Sequence, residues 1–291
     1  MIRHILGEIT TVYEHNPVWR MEQRRIKGGM KGLERHAWRM LAYPALAVAL
    51  IAALDVFINS GKLTIASFSL PIMLLFSTAL MFGADVAYVL NTVNTLSGPM
   101  ITGEWELLYL TPLRPQMIFD AKYAAAQLKA WRLLWFEIAV RLITLELIIL
   151  PLMLLVGSTQ FTGATIFLSL NPLPMIAIGI LLSFLAMFIL EPYWRMRMVV
   201  AIGLAVSAMF RSPSYAVLAG ILVTLVIRMV QVGVLLVIMS MFSIFGEFAL
   251  LLLCALPFAL SIIFGGSWYI YAYIRTRALR LAFRVAFAAD N

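Results

Sequence analysis

Apolar runs alternate with short polar breaks along the whole chain, and the lengths of those runs set the expected architecture. A helix of roughly 20 apolar residues crosses the hydrocarbon core of a bilayer. Six runs reach that scale, at about Ala37–Ile58, Ser67–Leu90, Leu133–Gly157, Met175–Leu190, Tyr215–Met239 and Glu247–Tyr273. A further apolar piece, Met198 to Phe210, is too short to cross alone and is expected to be a re-entrant or tilted continuation of the fourth element. Ahead of the spans, residues 1–36 place Ile2, Ile5, Leu6, Ile9, Val12 and Tyr13 at helical spacing beside basic residues, the pattern of a helix lying in the membrane interface. Asn16-Pro17 reads as a break and Gly28-Gly29 as a hinge. No apolar core of seven or more residues follows the first charges, which argues against a cleaved signal peptide.

Composition agrees: the chain is 63% apolar and 12% charged, with a mean hydropathy of +0.96. Soluble domains carry about a quarter charged residues, so the expected class is an all-α membrane protein. The net charge of +8 acquires meaning only when sorted by segment. Of the 22 Lys and Arg, eight lie in 1–39, four in 91–132, three in 191–214 and four in 275–291; Lys62 is the one basic residue in an outer segment, and Arg141 and Arg228 fall inside spans. That bias predicts six spans with both termini in the cytoplasm, at the inner (plasma) membrane. Three parts follow: a basic amino-terminal segment 1–36, a transmembrane domain 37–274, and a basic tail 275–291 carrying a last short helix. The charge reflects orientation and implies no nucleic-acid partner. One cysteine, Cys254, and three histidines, all within the first 36 residues, leave no intramembrane metal site to expect.

The longest interior polar stretch, 91–132, contains the sequence Thr102 to Lys122, TGEWELLYLTPLRPQMIFDAK. Glu104 and Glu106 sit where carboxylates complement a helix dipole, and Trp105, Leu108 and Tyr109 share one helical face. Thr111-Pro112 ends that helix, because a residue before proline leaves the helical region. Pro115 permits a second helix from about Gln116 into Lys122. The prediction is a cytoplasmic helix, a break and another helix between the second and third spans.

This order, Gly103-x-x-Glu106-x-Leu108-x-x-Thr111-Pro112-Leu113 followed by Ile118 and Lys122, resembles the segment after the second span in type-2 ATP-binding-cassette (ABC) exporter permeases. Asn16-Pro17-Val18-Trp19-Arg20 is similar to that family's amino-terminal connecting segment, and Gly203-Leu-Ala-Val-Ser207-Ala208 with Arg211 and Ser212 to its cytoplasmic loop before the fifth span. Two departures stand out: Glu104 occupies a position that is often threonine, and Ser97-Gly98-Pro99 replaces a charged pair. The resemblance implies a permease subunit with a coupling helix seated in a separate nucleotide-binding subunit. Gly103, Glu104, Trp105, Glu106, Leu108, Thr111, Pro112 and Lys122 would then form the coupling segment. It also implies a second permease copy, as homodimer or heterodimer, with ATP and Mg held by the partner and no cofactor in this chain.

Charges inside spans are costly, about 2.5–3.5 kcal/mol each at mid-depth, so they are expected to face partners or water. Glu137 and Arg141, with the acid four residues ahead, suit an intrahelical pair. Glu146 and Arg228 fall near mid-depth and are expected to pair between helices or line a pathway. Asp85 and Glu191 read as hydrated boundary charges, as does Glu247 on the outer side. The chain lacks a phosphate-binding Gly-x-x-x-x-Gly-Lys loop, a His-Glu-x-x-His pair and a Gly-x-Ser-x-Gly elbow. A transport subunit without its own ATPase site is therefore expected. An ion-coupled secondary transporter and a non-transporting membrane scaffold are the alternatives.

Overall fold

The computed structural model describes residues 16–25, 29–59, 64–158, 173–210, 212–244 and 249–287, and among these every regular element is helical. In chain order they are α1 (Pro17–Arg25), α2 (Gly29–Asn59), α3 (Thr64–Ile101), α4 (Glu104–Tyr109), α5 (Pro115–Ser158), α6 (Leu173–Met209), α7 (Pro213–Ile244) and α8 (Ala249–Phe287). The stripe from Ile2 to Tyr13, Gly28, the turn at Lys62, most of the stretch from Ser158 to Pro174, Arg211 and Glu247 lie outside the described residues.

Helix α3 packs against α5, α6 and α7, while α6 lies against α5, α7 and α8, so α3, α5 and α6 form the centre. On the periphery, α2 rests on α5 and α3, and α1 on the start of α5. The core is built from Tyr88, Val89 and Val93 of α3, Trp131 and Leu134 of α5, and Val199, Val200 and Leu204 of α6. Outward faces are also apolar: Leu46 and Leu50 on α2, Leu75 on α3, and Leu218, Leu222 and Met229 on α7 are exposed. Among the described residues, two stretches, Pro71–Ile101 and Pro213–Gly233, are long and apolar enough to cross a membrane, with mean hydropathies of 1.8 and 2.1.

Several expected boundaries move. Asn16-Pro17 starts a helix: the Asn16 carboxamide oxygen accepts from Val18 N at 3.0 Å, the N-cap arrangement, and proline follows at the first helical position. Helix α3 continues through the polar residues Asn91–Pro99 to Ile101, and α5 begins at Pro115, well before the apolar run at Leu133. Of the two expectations for Met198–Phe210, the structure has the continuation of the fourth element: α6 runs on through Pro192 to Met209. The arginines at 275–284 extend α8 without a break, so there is no separate last helix.

The Gly203–Ser207 stretch, expected in a loop, is a buried packing seam on α6. A Cβ on Gly203 would lie 2.9 Å from Thr92 Cβ, and one on Gly220 of α7 would lie 2.7 Å from Val89 Cγ1. Small residues four apart let two helix backbones approach closely. Here the approach is used: Ser207 Oγ donates to Val93 O at 2.8 Å and accepts from Ser97 N at 3.0 Å. Gly203→Leu forces α6 away from α3, at an overpacking cost of about 1–3 kcal/mol that exceeds the roughly 1 kcal/mol helix-propensity gain over glycine. A lowered thermal unfolding midpoint checks this; an unchanged or raised midpoint would mean that the seam is loose.

Candidate functional site

Two features concentrate polar chemistry: an elbow between α3 and α5, and a charged cluster within the bundle. At the elbow, Thr102-Gly103 turns the chain, with Gly103 at φ 73°, a region that costs an L-residue about 1–2 kcal/mol. Helix α4 follows, and Thr111 closes it, its N–H and hydroxyl both bonding Leu108 O, at 3.2 and 2.6 Å. After Pro112 the chain re-enters a helix at Pro115, whose missing N–H is harmless at that position.

Helix α4 has two faces. Trp105 and Leu108 turn inward, and the Trp105 ring packs on Phe287 of α8 at 5.5 Å. Glu104 and Pro112 are exposed, together with Leu107 (68%) and Leu110 (80%), which the sequence reading left out. The Glu106 side chain lies outside the described set. Lys122 departs most from expectation. Rather than reaching a partner subunit it is 1% exposed, with its ammonium 2.5 Å from Glu22 Oε1 of α1. A second tie holds α1 beside the elbow, since Asn16 Nδ2 donates to Met117 O at 2.7 Å. Beyond the elbow, Asp120 and Tyr123 of α5 face the end of α8. Partial burial lifts the Asp120 carboxyl above the ordinary carboxylate range, and full burial raises the Tyr123 phenol.

The second feature gathers three arginines and three carboxylates from four helices. Arg195 of α6 is 0% exposed. Its Nη1 lies 2.5 Å from Asp85 Oδ1 of α3 and donates to Met81 O at 2.9 Å, its Nη2 meets Glu137 of α5, and its Nε lies 3.1 Å from Glu191 Oε1. Arg141 of α5 reaches Glu137 at 2.9 Å and Glu191 at 2.7 Å, and donates to Phe188 O at 2.7 Å. Arg228 of α7 binds Asp85 Oδ2 at 2.9 Å and Gln231 Oε1 at 2.7 Å, with Glu191 at 3.4 Å. A fifth helix joins through Tyr271 of α8, whose hydroxyl donates to Glu191 at 2.8 Å. Tyr88 contributes a longer bond to Glu137, at 3.4 Å.

Formal charge in this cluster sums to zero, and each carboxylate meets at least two guanidinium groups. Burying an ion costs several kcal/mol unless geometry and hydrogen bonds compensate. The shared, multiply bonded arrangement supplies that compensation and ties five helices at one level. The expected Glu137–Arg141 pair is present. The expected Glu146–Arg228 pair is not: Arg228 turns to Asp85 and Glu191, and among the described residues no ion pair reaches Glu146, which is partly exposed. Asp85 and Glu191, expected to be hydrated, are drawn inward by those arginines. A signal was available in the sequence, since Glu191-x-x-x-Arg195 repeats the acid-first spacing of Glu137-x-x-x-Arg141. Comparison with family models, with curated proteins and with solved structures returns no match for this chain.

Proposed function

We propose that the chain is a six-span membrane permease subunit of an ATP-driven ABC exporter, powered through the elbow by a separate nucleotide-binding subunit. The observation that carries the reading is the exposed Glu104–Leu107–Leu110 face of a short helix held between two uninterrupted long helices. An acidic and apolar ridge of this kind suits a cleft on a soluble partner. A displaced elbow would pull on α3 and α5 together, and Asp85 and Glu137 would pass the movement to α6, α7 and α8 as a rigid-body change. Substrate would pass between two permease copies, and the bound nucleotide and Mg would belong to the partner. The apolar outer faces and the skew of basic residues toward one side support the membrane orientation, with both ends in the cytoplasm.

An ion-coupled transporter is the weaker reading for a stated reason. It needs a buried carboxylate that can gain and lose a proton during transport, whereas Asp85, Glu137 and Glu191 are each held by two or more arginines. Co-purification is the direct test. The full-length protein should recover an ATPase subunit, and Leu107→Glu combined with Leu110→Glu should reduce recovery at least about tenfold, as expected for truncating central hot spots, with the unfolding midpoint unchanged. Recovery of a lone, ATP-indifferent protein would count against the pump.

A further inference from the structure

Where α8 emerges beyond its last tyrosines, it and α5 enclose a cleft of about 440 Å³. Among the described residues, four arginines line it, Arg197 of α6 and Arg275, Arg280 and Arg284 of α8, against one acidic side chain, Asp120. Such a surplus selects an anion, and guanidinium groups in a fork geometry suit phosphate oxygens. The cleft does not stand alone. It shares Thr276 and Arg280 with a neighbouring hollow of about 390 Å³ that is floored by Trp268, Tyr269 and Tyr273. Tyr269 and Tyr273 stack at 6.2 Å, and both are exposed.

A basic cavity sharing a wall with an aromatic, apolar one matches a molecule with a charged head and a greasy body. A free phosphate would use the first cavity only, and an acidic peptide would have no use for the second. Position agrees, because Trp and Tyr gather at the membrane–water boundary and basic pockets just inside it hold lipid headgroups. We propose that this double cavity is a binding site for an anionic phospholipid, its phosphate among Arg275, Arg280 and Arg197 and its acyl chains along Trp268 and Tyr273. The proposal rests on the membrane reading above and is independent of the pump.

The test uses delipidated full-length protein in neutral detergent, titrated separately with dioleoylphosphatidylglycerol, dioleoylphosphatidylcholine and inorganic phosphate, reading the thermal unfolding midpoint. Phosphatidylglycerol should raise the midpoint at least about tenfold more potently than phosphatidylcholine, because both carry a phosphate but the choline ammonium cancels its charge and meets the arginines with like charge. Arg275→Gln with Arg280→Gln should abolish that preference, whereas Arg39→Gln, at an exposed arginine on α2, should leave it intact. Three results would overturn the assignment: equal responses to the two lipids, a phosphate response matching that of phosphatidylglycerol, or an unchanged lipid preference in the double variant. If the double variant instead keeps its lipid response and loses co-purification of an ATPase subunit, the cleft is a protein contact. Alkaline carbonate extraction reads the membrane reading separately: a protein released into the supernatant refutes both, and one retained in the pellet leaves the lipid titration to decide.

Discussion

Replacing Arg195 with methionine is expected to destabilise the protein by about 3–5 kcal/mol, the range measured when one partner of a buried ion pair is removed. Arg195 is the hub of the cluster: it alone contacts Asp85, Glu137 and Glu191, and it also satisfies Met81 O. Without it, Arg141 and Arg228 must neutralise three carboxylates, and one negative charge stays buried with no counter-ion. Restoring neutrality should therefore restore stability. Arg195→Met with Glu137→Gln is expected to recover a substantial part of the loss, whereas Arg195→Met with Glu104→Gln, at an exposed acid on the elbow, should recover none. The measurement is the unfolding midpoint of purified full-length protein. Equal recovery by both second substitutions would show that charge balance is not what holds the cluster together.

The second large effect is expected at Lys122. Lys122→Met removes the ammonium that lies 2.5 Å from the buried Glu22 carboxylate, a charged hydrogen bond worth about 1.5–3 kcal/mol. The loss should appear first as undocking of α1, which is held to α5 by this pair, by the Asn16–Met117 bond and by Trp19 in the core. Protease sensitivity near Arg20 and Arg24 is the readout, because both lie exposed on α1. Adding Glu22→Gln should reverse much of the sensitivity. The result discriminates sharply: a lysine that contacts a partner subunit would lose the partner while α1 stayed docked.

The all-helical class and the helix–break–helix elbow were legible in the sequence because both are written locally, in apolar run length and in Thr111-Pro112 and Pro115. Helix ends were not. Asn91–Pro99 reads as a connection and Gln116–Lys122 as a helix of its own, yet hydropathy reports the surroundings of a helix and not its hydrogen bonds, so α3 and α5 run through both without a break. The cluster was half visible. Glu137 and Arg141 announce themselves by spacing, but Arg228 was assigned to Glu146 on depth alone. Its true partners depend on which helices stand side by side, a property of lateral packing that one-dimensional patterning does not carry. The fourth apolar run stops at Leu190 because Glu191, Arg195 and Arg197 are charged, whereas α6 is continuous through them. In the elbow, the sequence placed Trp105 and Leu108 on one face without saying what that face meets: it packs on Phe287, and Leu107 and Leu110 are exposed opposite.

The packing of Trp105 on Phe287 has a mechanical meaning. Helix α8 meets the elbow at Phe287 and the charged cluster at Tyr271, as α3 does at Ile101 and Asp85, with roughly 24 Å of helix between the two levels in each case. Helix α5 makes the same journey from Pro115 to Glu137 over roughly 33 Å. The elbow thus stands on a tripod whose three legs are pinned at the far end. A lateral push on the elbow would therefore act on all three legs at once, and in the proposed pump it is this shared footing that would turn a displacement of the elbow into a tilt of the bundle.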